Sequence, residues 1–344
     1  MVSAAWKPGS ARERTHQIRE AFTSSGVGGN TDTMNGSKTP CVAILLSTFN
    51  GKRFLDDQLR SYLAQDHTNW RVYWRDDGSS DGTEALMEAF ANGPGLGRCV
   101  RVEGSTRFGA TGSFFVLLRS ALTGPASFFA FSDQDDVWLA EKIANGAATL
   151  SSVPSGRAAV YFCGRTLVDA ECQVISQVPP PRHPPGFPTA LTQNVIPGCC
   201  MILNRAAAAL IGCSTPPVHT WHDWWSYLVV TAAGGLVMGG DTPGILYRQH
   251  EGNLIGENPD FWFRARRALG RGRGPFMANL RNHVAALLAL RDKLPPEVRG
   301  SLEIIDRGCR GKFRARLRAL RIPGFLLRQT RAETLLLRLW FLLG

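Results

Sequence analysis

Three carboxylates fall within four residues in the run Ser132-Asp133-Gln134-Asp135-Asp136-Val137-Trp138. They follow directly on Ser127-Phe128-Phe129-Ala130-Phe131, an apolar and aromatic run of the kind that forms a buried strand. The acids therefore sit where a strand emerges, which is where open α/β sheets bind ligands. Acids this close repel one another unless a cation joins them. A divalent ion shared with a phosphate suits such a cluster, because Mg²⁺ favours one or two carboxylates together with substrate phosphate oxygens. The plainer alternative is a helix N-cap, with Asp135 or Asp136 capping a segment that begins near Trp138. One acid suffices for a cap, and the surplus favours the metal. Two more acidic positions, Asp76-Asp77 and Asp223, also lie at or after the ends of expected elements.

The elements that must position these acids alternate. Apolar runs at residues 41–47, 70–75, 99–102, 127–131, 158–163 and 198–203 read as strands. Leu55, Leu59, Tyr62 and Leu63 lie at helical spacing after the first. Further helices are expected from Asp81 or Thr83 with Glu84 behind it, over 113–121 and over 223–238. Strand and helix in this rhythm imply βαβ units and a mostly parallel sheet flanked by helices. Such a sheet carries the C-terminal ends of distant strands to one rim, so loops far apart in sequence can share a crevice. The six prolines between 178 and 188 mark a loop.

Several chemistries lack their devices. There is no GxGxxG after the first strand and no GxxxxGK[ST], which removes the dehydrogenase and P-loop readings. The eight cysteines include no CxxC pair, which favours reduced thiols in a cytosolic compartment over a zinc site or disulfide framework. With 344 residues, 44% of them hydrophobic, the chain can bury a substantial core. The net charge of +11 is unevenly held: residues 264–344 carry 19 Lys and Arg against 5 acids, and the other 263 residues carry 20 against 23. A basic tail of this kind suggests an anionic membrane surface or a nucleic acid. Its last stretch mixes Leu, Phe and Trp with Arg328, Arg331 and Arg338, as interfacial helices do, although packing on the body is compatible with the same pattern. Residues 1–39 read as a disordered leader without an apolar signal region, and no apolar run approaches the ~20 residues of a membrane span.

The segments Ser47-Thr48-Phe49-Asn50-Gly51, Arg75-Asp76-Asp77-Gly78-Ser79-Ser80-Asp81-Gly82-Thr83 and Ser132-Asp133-Gln134-Asp135-Asp136-Val137-Trp138 together resemble family 2 glycosyltransferases. Within that family they are most similar to the rhamnosyltransferase-like branch that builds bacterial surface polysaccharides. His222-Asp223-Trp224-Trp225 and Tyr247-Arg248-Gln249-His250-Glu251-Gly252-Asn253 fit the same branch, so the resemblance runs in order over residues 40–256. It implies a GT-A fold over 40–260, followed by a basic helical region over 261–344. It also implies a nucleotide site made by Thr48, Phe49, Asn50, Asp77, Gly78 and Asp133, with Asp77 bonded to the base. Asp133 and Asp135 become the DxD-type pair, Asp135 and His250 the ligands of Mg²⁺ or Mn²⁺, and Asp223 the general base. The tryptophans around Asp223 would shape an acceptor site or pack in the core. One departure stands out: near Arg107 and Ser113, relatives carry Asn, and this chain keeps only the Gly and Phe of that segment.

The expected activity is inverting, metal-dependent transfer of a sugar, with rhamnose as the branch suggests, from a dTDP- or UDP-linked donor. The acceptor would be a saccharide or a polyprenyl-linked saccharide, met at the cytoplasmic face of the membrane, and no nucleic acid is expected as a partner. A nucleotidyltransferase also uses paired acids, but Phe49-Asn50-Gly51-Lys52-Arg53 imitates its triphosphate loop poorly. An inert scaffold with a nucleic-acid-binding tail lacks a recognisable nucleic-acid module.

Overall fold

A computed structural model of the protein describes residues 39–104, 106–251 and 272–344. The leader up to residue 38, Gly252-Asn253 of the last motif and the basic stretch 264–271 lie outside the described residues. Nine strands form one sheet in the order β3-β2-β1-β4-β8-β6-β9-β5, with β7 on β6. They are β1 (Val42–Thr48), β2 (Trp70–Asp76), β3 (Cys99–Arg101), β4 (Phe128–Ser132), β5 (Val137–Trp138), β6 (Ala159–Val168), β7 (Val174–Gln177), β8 (Met201–Asn204) and β9 (Leu236–Arg248). β1, β2, β3 and β4 are mutually parallel neighbours, β6 and β9 are a second parallel pair, and β8 joins the two groups by antiparallel pairing on both sides.

The strands form where the sequence is apolar throughout. β1 is buried along almost its whole length and β4 completely, the mark of a sheet covered on both faces. The helices that cover it begin with α1 (Lys52–Leu63), whose Phe54, Leu55, Gln58, Leu59 and Tyr62 face inward. α2 (Thr83–Asn92), α3 (Gly109–Leu122), α4 (Lys142–Ser151), α5 (Arg205–Gly212) and α6 (His222–Ala232) follow. The C-terminal region adds α7 (Arg273–Ala289), α8 (Pro296–Arg310), α9 (Phe313–Leu320) and α10 (Arg331–Leu343). Its Leu280, Val284, Leu287, Ile305, Phe325 and Phe341 belong to the same continuous core as β1 and β4. Each such side chain contributes about 1.5–3 kcal/mol by leaving water. Among the described residues, no helix is long and apolar enough to cross a membrane.

The register aligns the strand ends. Thr48 pairs with Asp76, and Leu46 with Ser132, so the loops after β1, β2 and β4 leave the sheet on one rim. Three expectations need correction. The helix expected over 223–238 stops at Ala232, because Gly234 adopts φ +72° and a side chain at Gly235 would strike the carbonyls of Val230 and Ala158; Leu236–Met238 instead begin β9. The strand expected over 198–203 starts as a 3₁₀ turn, Gly198–Cys200, and becomes extended only at Met201. No helix begins near Trp138: Val137 and Trp138 pair with Leu246 and Ile245 of β9, and α4 starts at Lys142. Asp136 therefore caps nothing, and its Oδ1 accepts the backbone N–H of Arg248 across the sheet at 3.1 Å.

Candidate active site

The loops after β1, β2 and β4 are bonded to one another through their own motif residues. Thr48 Oγ1 donates to Asp76 Oδ1 (2.8 Å), and the Asn50 N–H donates to Ser79 Oγ (2.7 Å). Asn50 holds φ +48°, an orientation Asn tolerates, and its Oδ1 accepts from Ser80 N at 2.9 Å. Gln134 completes the brace: its Oε1 accepts from Phe49 N at 2.8 Å and its Nε2 donates to Phe49 O at 2.9 Å. A Cβ at Gly51 would lie 2.2 Å from Gln134 Oε1, so glycine is needed there for the two loops to meet. Asp81 accepts from Lys52 N and from Thr83, bonds that hold its carboxyl below the usual range although desolvation opposes them.

Asp77 is buried at the start of α3. Its Oδ1 accepts from Phe108 N (2.9 Å) and Ser113 Oγ (3.0 Å), and its Oδ2 accepts from Gly109 N (2.9 Å). A carboxylate at a helix N-terminus satisfies N–H groups that lack intrahelical partners. Ser113 and the backbone of Phe108 and Gly109 thus receive Asp77. Arg107 Nη2 reaches back to Gly78 O (2.8 Å), and its guanidinium lies 5.3 Å from the Phe49 ring. Gly78 has φ +92°, which a side chain would strain. Phe49 and Phe108 remain 47% and 48% exposed, leaving aromatic faces open beside this network.

The acidic run is held by β9. Arg248 is buried; its Nε donates to Asp135 O (2.8 Å), its Nη2 pairs with Asp57 Oδ2 (2.8 Å), and its Nη1 donates to Ala170 O (2.5 Å). Two residues on, His250 Nε2 lies 2.8 Å from Asp135 Oδ2, with both side chains partly open to solvent. The imidazole packs 4.6 Å from the Phe54 ring. Burial together with the Asp135 and Asp223 carboxylates pushes Asp133 up to about 7. Asp136 is also raised, by burial first and then by its two acidic neighbours, and its Oδ2 has no hydrogen-bond partner. Lys142 opposes this charge from below: buried, it lies 3.4 Å from the Trp138 ring and donates to Cys199 O at 2.5 Å.

Asp133, Asp136 and Cys199 offer ligand atoms within 4.8 Å of one another. Cys199 and Asp136 are buried and both favour their neutral forms, so they make the floor of the site. The accessible donors are Asp135 and His250, with Asp133 beside them. Carboxylate oxygens suit Mg²⁺ or Mn²⁺, and a cation would relieve the crowding of these acids.

Asp223 stands in the first turn of α6. Its Oδ1 accepts from its neighbour Trp224 N (2.6 Å), and its Oδ2 accepts from Gly198 N (3.1 Å), with the Asn194 side chain as a further donor. Burial nonetheless prevails and raises its carboxyl to about 6. His222 stacks on Phe114 at 3.9 Å, and burial lowers it to about 3, so it stays neutral. Trp225 is core, fully buried with Nε1 on Ser214, whereas Trp221 and Trp224 remain half-buried around Asp223.

Support for this half comes from the C-terminal region. His283 of α7 has its Nδ1 2.9 Å from Leu191 O and its Nε2 3.1 Å from Thr220 Oγ1. A carbonyl only accepts, so Nδ1 carries the proton and Nε2 receives the threonine hydroxyl. Its ring meets Trp224 edge-on at 4.7 Å. Sequence reasoning had assigned no role to Gln134, Lys142, Asn194, Arg248 or His283. Arg248 and Gln134 lie inside quoted motifs, but Asn194 and His283 carry no local signal.

Residues 43–208 match the family model described as Glycosyl transferase family 2. The chain is 29% identical over 227 residues to dTDP-rhamnosyl transferase RfbG of Shigella flexneri, covering 63% of this chain and 75% of that protein. It is 24% identical over 204 residues to an uncharacterized glycosyltransferase of Rickettsia typhi, spanning 60% of that protein's length. In three dimensions it is similar to S. aureus TarS, with TM-score 0.50 and 15% identity, covering 78% of this chain and 43% of that one. It is equally similar to GalNAc-T7, solved with UDP, GalNAc and Mn²⁺, at TM-score 0.50 and 12% identity, covering 65% of this chain and 46% of that one. These structural likenesses identify the architecture as GT-A.

Proposed function

The chain belongs to the family 2 glycosyltransferases, and from that premise we propose that it transfers a sugar, with inversion, from a nucleoside-diphosphate donor to a saccharide carried on a lipid at a membrane face. The observation that carries this reading is the meeting of three separate chain segments: Asp133 and Asp135 after β4, His250 after β9, and Asp223 at the start of α6, close enough that the Asp223 charge raises Asp133. The name of the Shigella relative makes dTDP-rhamnose the first donor to try.

In this reading the braced loops after β1 and β2 hold the nucleotide, with Phe49 and Asp77 toward the base and Gly78 allowing close approach. Asp135 and His250, with Asp133 beside them, would hold Mg²⁺ or Mn²⁺, whose bound charge would neutralise that developing on the departing nucleoside diphosphate. Asp223 takes the proton of the acceptor hydroxyl as it attacks the anomeric carbon. A carboxyl raised to about 6 is a stronger base than an exposed aspartate and is still ionised at neutral pH. Trp221 and Trp224 offer flat apolar faces to the acceptor sugar. Polysaccharide synthesis is the process in which such a transfer belongs.

Thermal stabilisation by a panel of nucleotide sugars with Mg²⁺ or Mn²⁺ identifies the donor, since a ligand of the folded state raises apparent stability. Transfer must release a nucleoside diphosphate. Release of pyrophosphate, or full transfer activity in both Asp135→Ala and Asp223→Ala, would overturn the reading.

A further inference from the structure

The outer surface of the C-terminal helices has no part in the catalytic reading. α9 turns Phe313, Arg314, Leu317 and Arg318 to solvent, and Arg321 just after it continues that face, mixing apolar with cationic side chains. α10 turns out Leu335, Leu339 and Leu343, at 67%, 52% and 60% exposure, while Thr334, Leu337 and Phe341 on its other side are buried. A surface helix that had only to pack would show polar groups along that ridge. Arg316 Nη1 donates to Leu342 O at 2.9 Å and ties the two helices together. Beside them, between α8 and α9, runs a groove of about 280 Å³ floored by Ile304 and Ala315 and edged by Arg307, Arg314 and Arg318. From Arg307 to Ala332 the chain carries nine Lys and Arg and no acid, and Asp306 at its border is already paired with Arg310.

We propose that this surface docks on an anionic phospholipid bilayer, the exposed Leu and Phe side chains entering the acyl boundary and Arg307, Arg314 and Arg318 holding lipid phosphates. Exposed leucines beside long cationic side chains are the composition of helices that lie in a membrane interface, where the charged heads reach back to the phosphates. A nucleic-acid surface would need the cations but not the leucine ridge. The docking deepens the reading of an enzyme that meets its acceptor at a membrane, and it assigns the surface that does so.

The test is co-sedimentation of the full chain with phosphatidylcholine vesicles, with and without phosphatidylglycerol, at low and high salt. Binding is expected only with phosphatidylglycerol and should weaken as salt rises. Arg314→Gln with Arg318→Gln, and separately Leu335→Glu with Leu339→Glu, should each weaken it on the order of tenfold or more. Donor hydrolysis in solution should be unchanged in both pairs, so an inactive protein would count against the transferase reading and not against docking. Should the leucine pair lower the melting temperature, the arginine pair, whose side chains are on the surface, decides alone. Binding that ignores phosphatidylglycerol, arginine variants that bind like the unmodified chain, or tighter binding to random duplex DNA would each overturn the proposal.

Discussion

The two halves of the candidate site are built in different ways. The half beneath β1, β2 and β4 is braced by its own motifs: Thr48 to Asp76, Asn50 to Ser79 and Ser80, Gln134 to Phe49. The half around Asp223 is held from outside its motif, by Gly198 and Asn194 on the carboxylate and by His283 behind Trp224. A brace between short adjacent loops can be specified locally, because each bond joins residues at the ends of paired strands. The half around Asp223, the acceptor half of the proposed reading, depends on helices far along the chain, and so on the integrity of the whole core. Damage to either half should then separate in its kinetic effect.

The sharpest break of the acceptor half is Asp223→Asn. It should lower kcat by about 10²–10⁴-fold, the usual worth of a general base, and leave donor affinity measured by calorimetry unchanged. On the donor half, Asp135→Ala or removal of divalent ions should lower transfer by a large factor as well; added Mn²⁺ should restore the chelated enzyme but not the variant. The two halves should also differ in pH response. The Asp223 carboxyl is raised to about 6, so its base form is lost as pH falls through that value. With donor saturating, kcat should fall about tenfold per unit below pH 6 and level off above it, and a flat profile from pH 5 to 8 would remove Asp223 from the role.

A smaller effect isolates the support. His283→Ala leaves Leu191 O and the Thr220 hydroxyl without their buried partner, a cost of about 1–3 kcal/mol in unfolding free energy. It should reduce acceptor kcat/KM more than it changes donor affinity, and His283→Gln should recover part of the loss. The smallest change expected is Gln134→Ala. Losing two bonds to the exposed Phe49 backbone should cost about 0.5–1.5 kcal/mol at most and weaken donor binding several-fold with the acceptor KM unmoved.

Much of the geometry of the half around β1, β2 and β4, proposed as the donor side, could be read before the structure, because strand, turn and acid follow one another within a few residues. β1, β2 and β4 lie within a residue of the expected bounds, since a continuous apolar run closed by Gly, Asn or Asp admits few other structures. The reading failed where the local pattern was ambiguous. Val137-Trp138 looked like a helix start because acids precede it, but two residues cannot reveal a strand whose partner lies over a hundred residues away. Leu236–Met238 looked like more helix because apolar spacing continues past Ala232, and only the paired glycines and the neighbouring β6 turn it into strand. Asn194 and His283 had no chance of being found. One sits after a proline-rich loop and the other in an unremarked helix, and burial alone gives them their roles.

The sequence by itself determined which residue types stand at the ends of the strands, and hence that a cluster of acids would gather along one rim of the sheet. Side-chain chemistry and two- or four-residue spacing suffice for that. The tertiary structure decided how the acids divide. The antiparallel register of Val137 on Leu246 turns Asp136 inward to the Arg248 N–H and brings His250 to Asp135, 115 residues apart in sequence. Partners at that separation are chosen by how all the strands and helices bury their apolar faces at once, and no stretch of the chain carries that information alone.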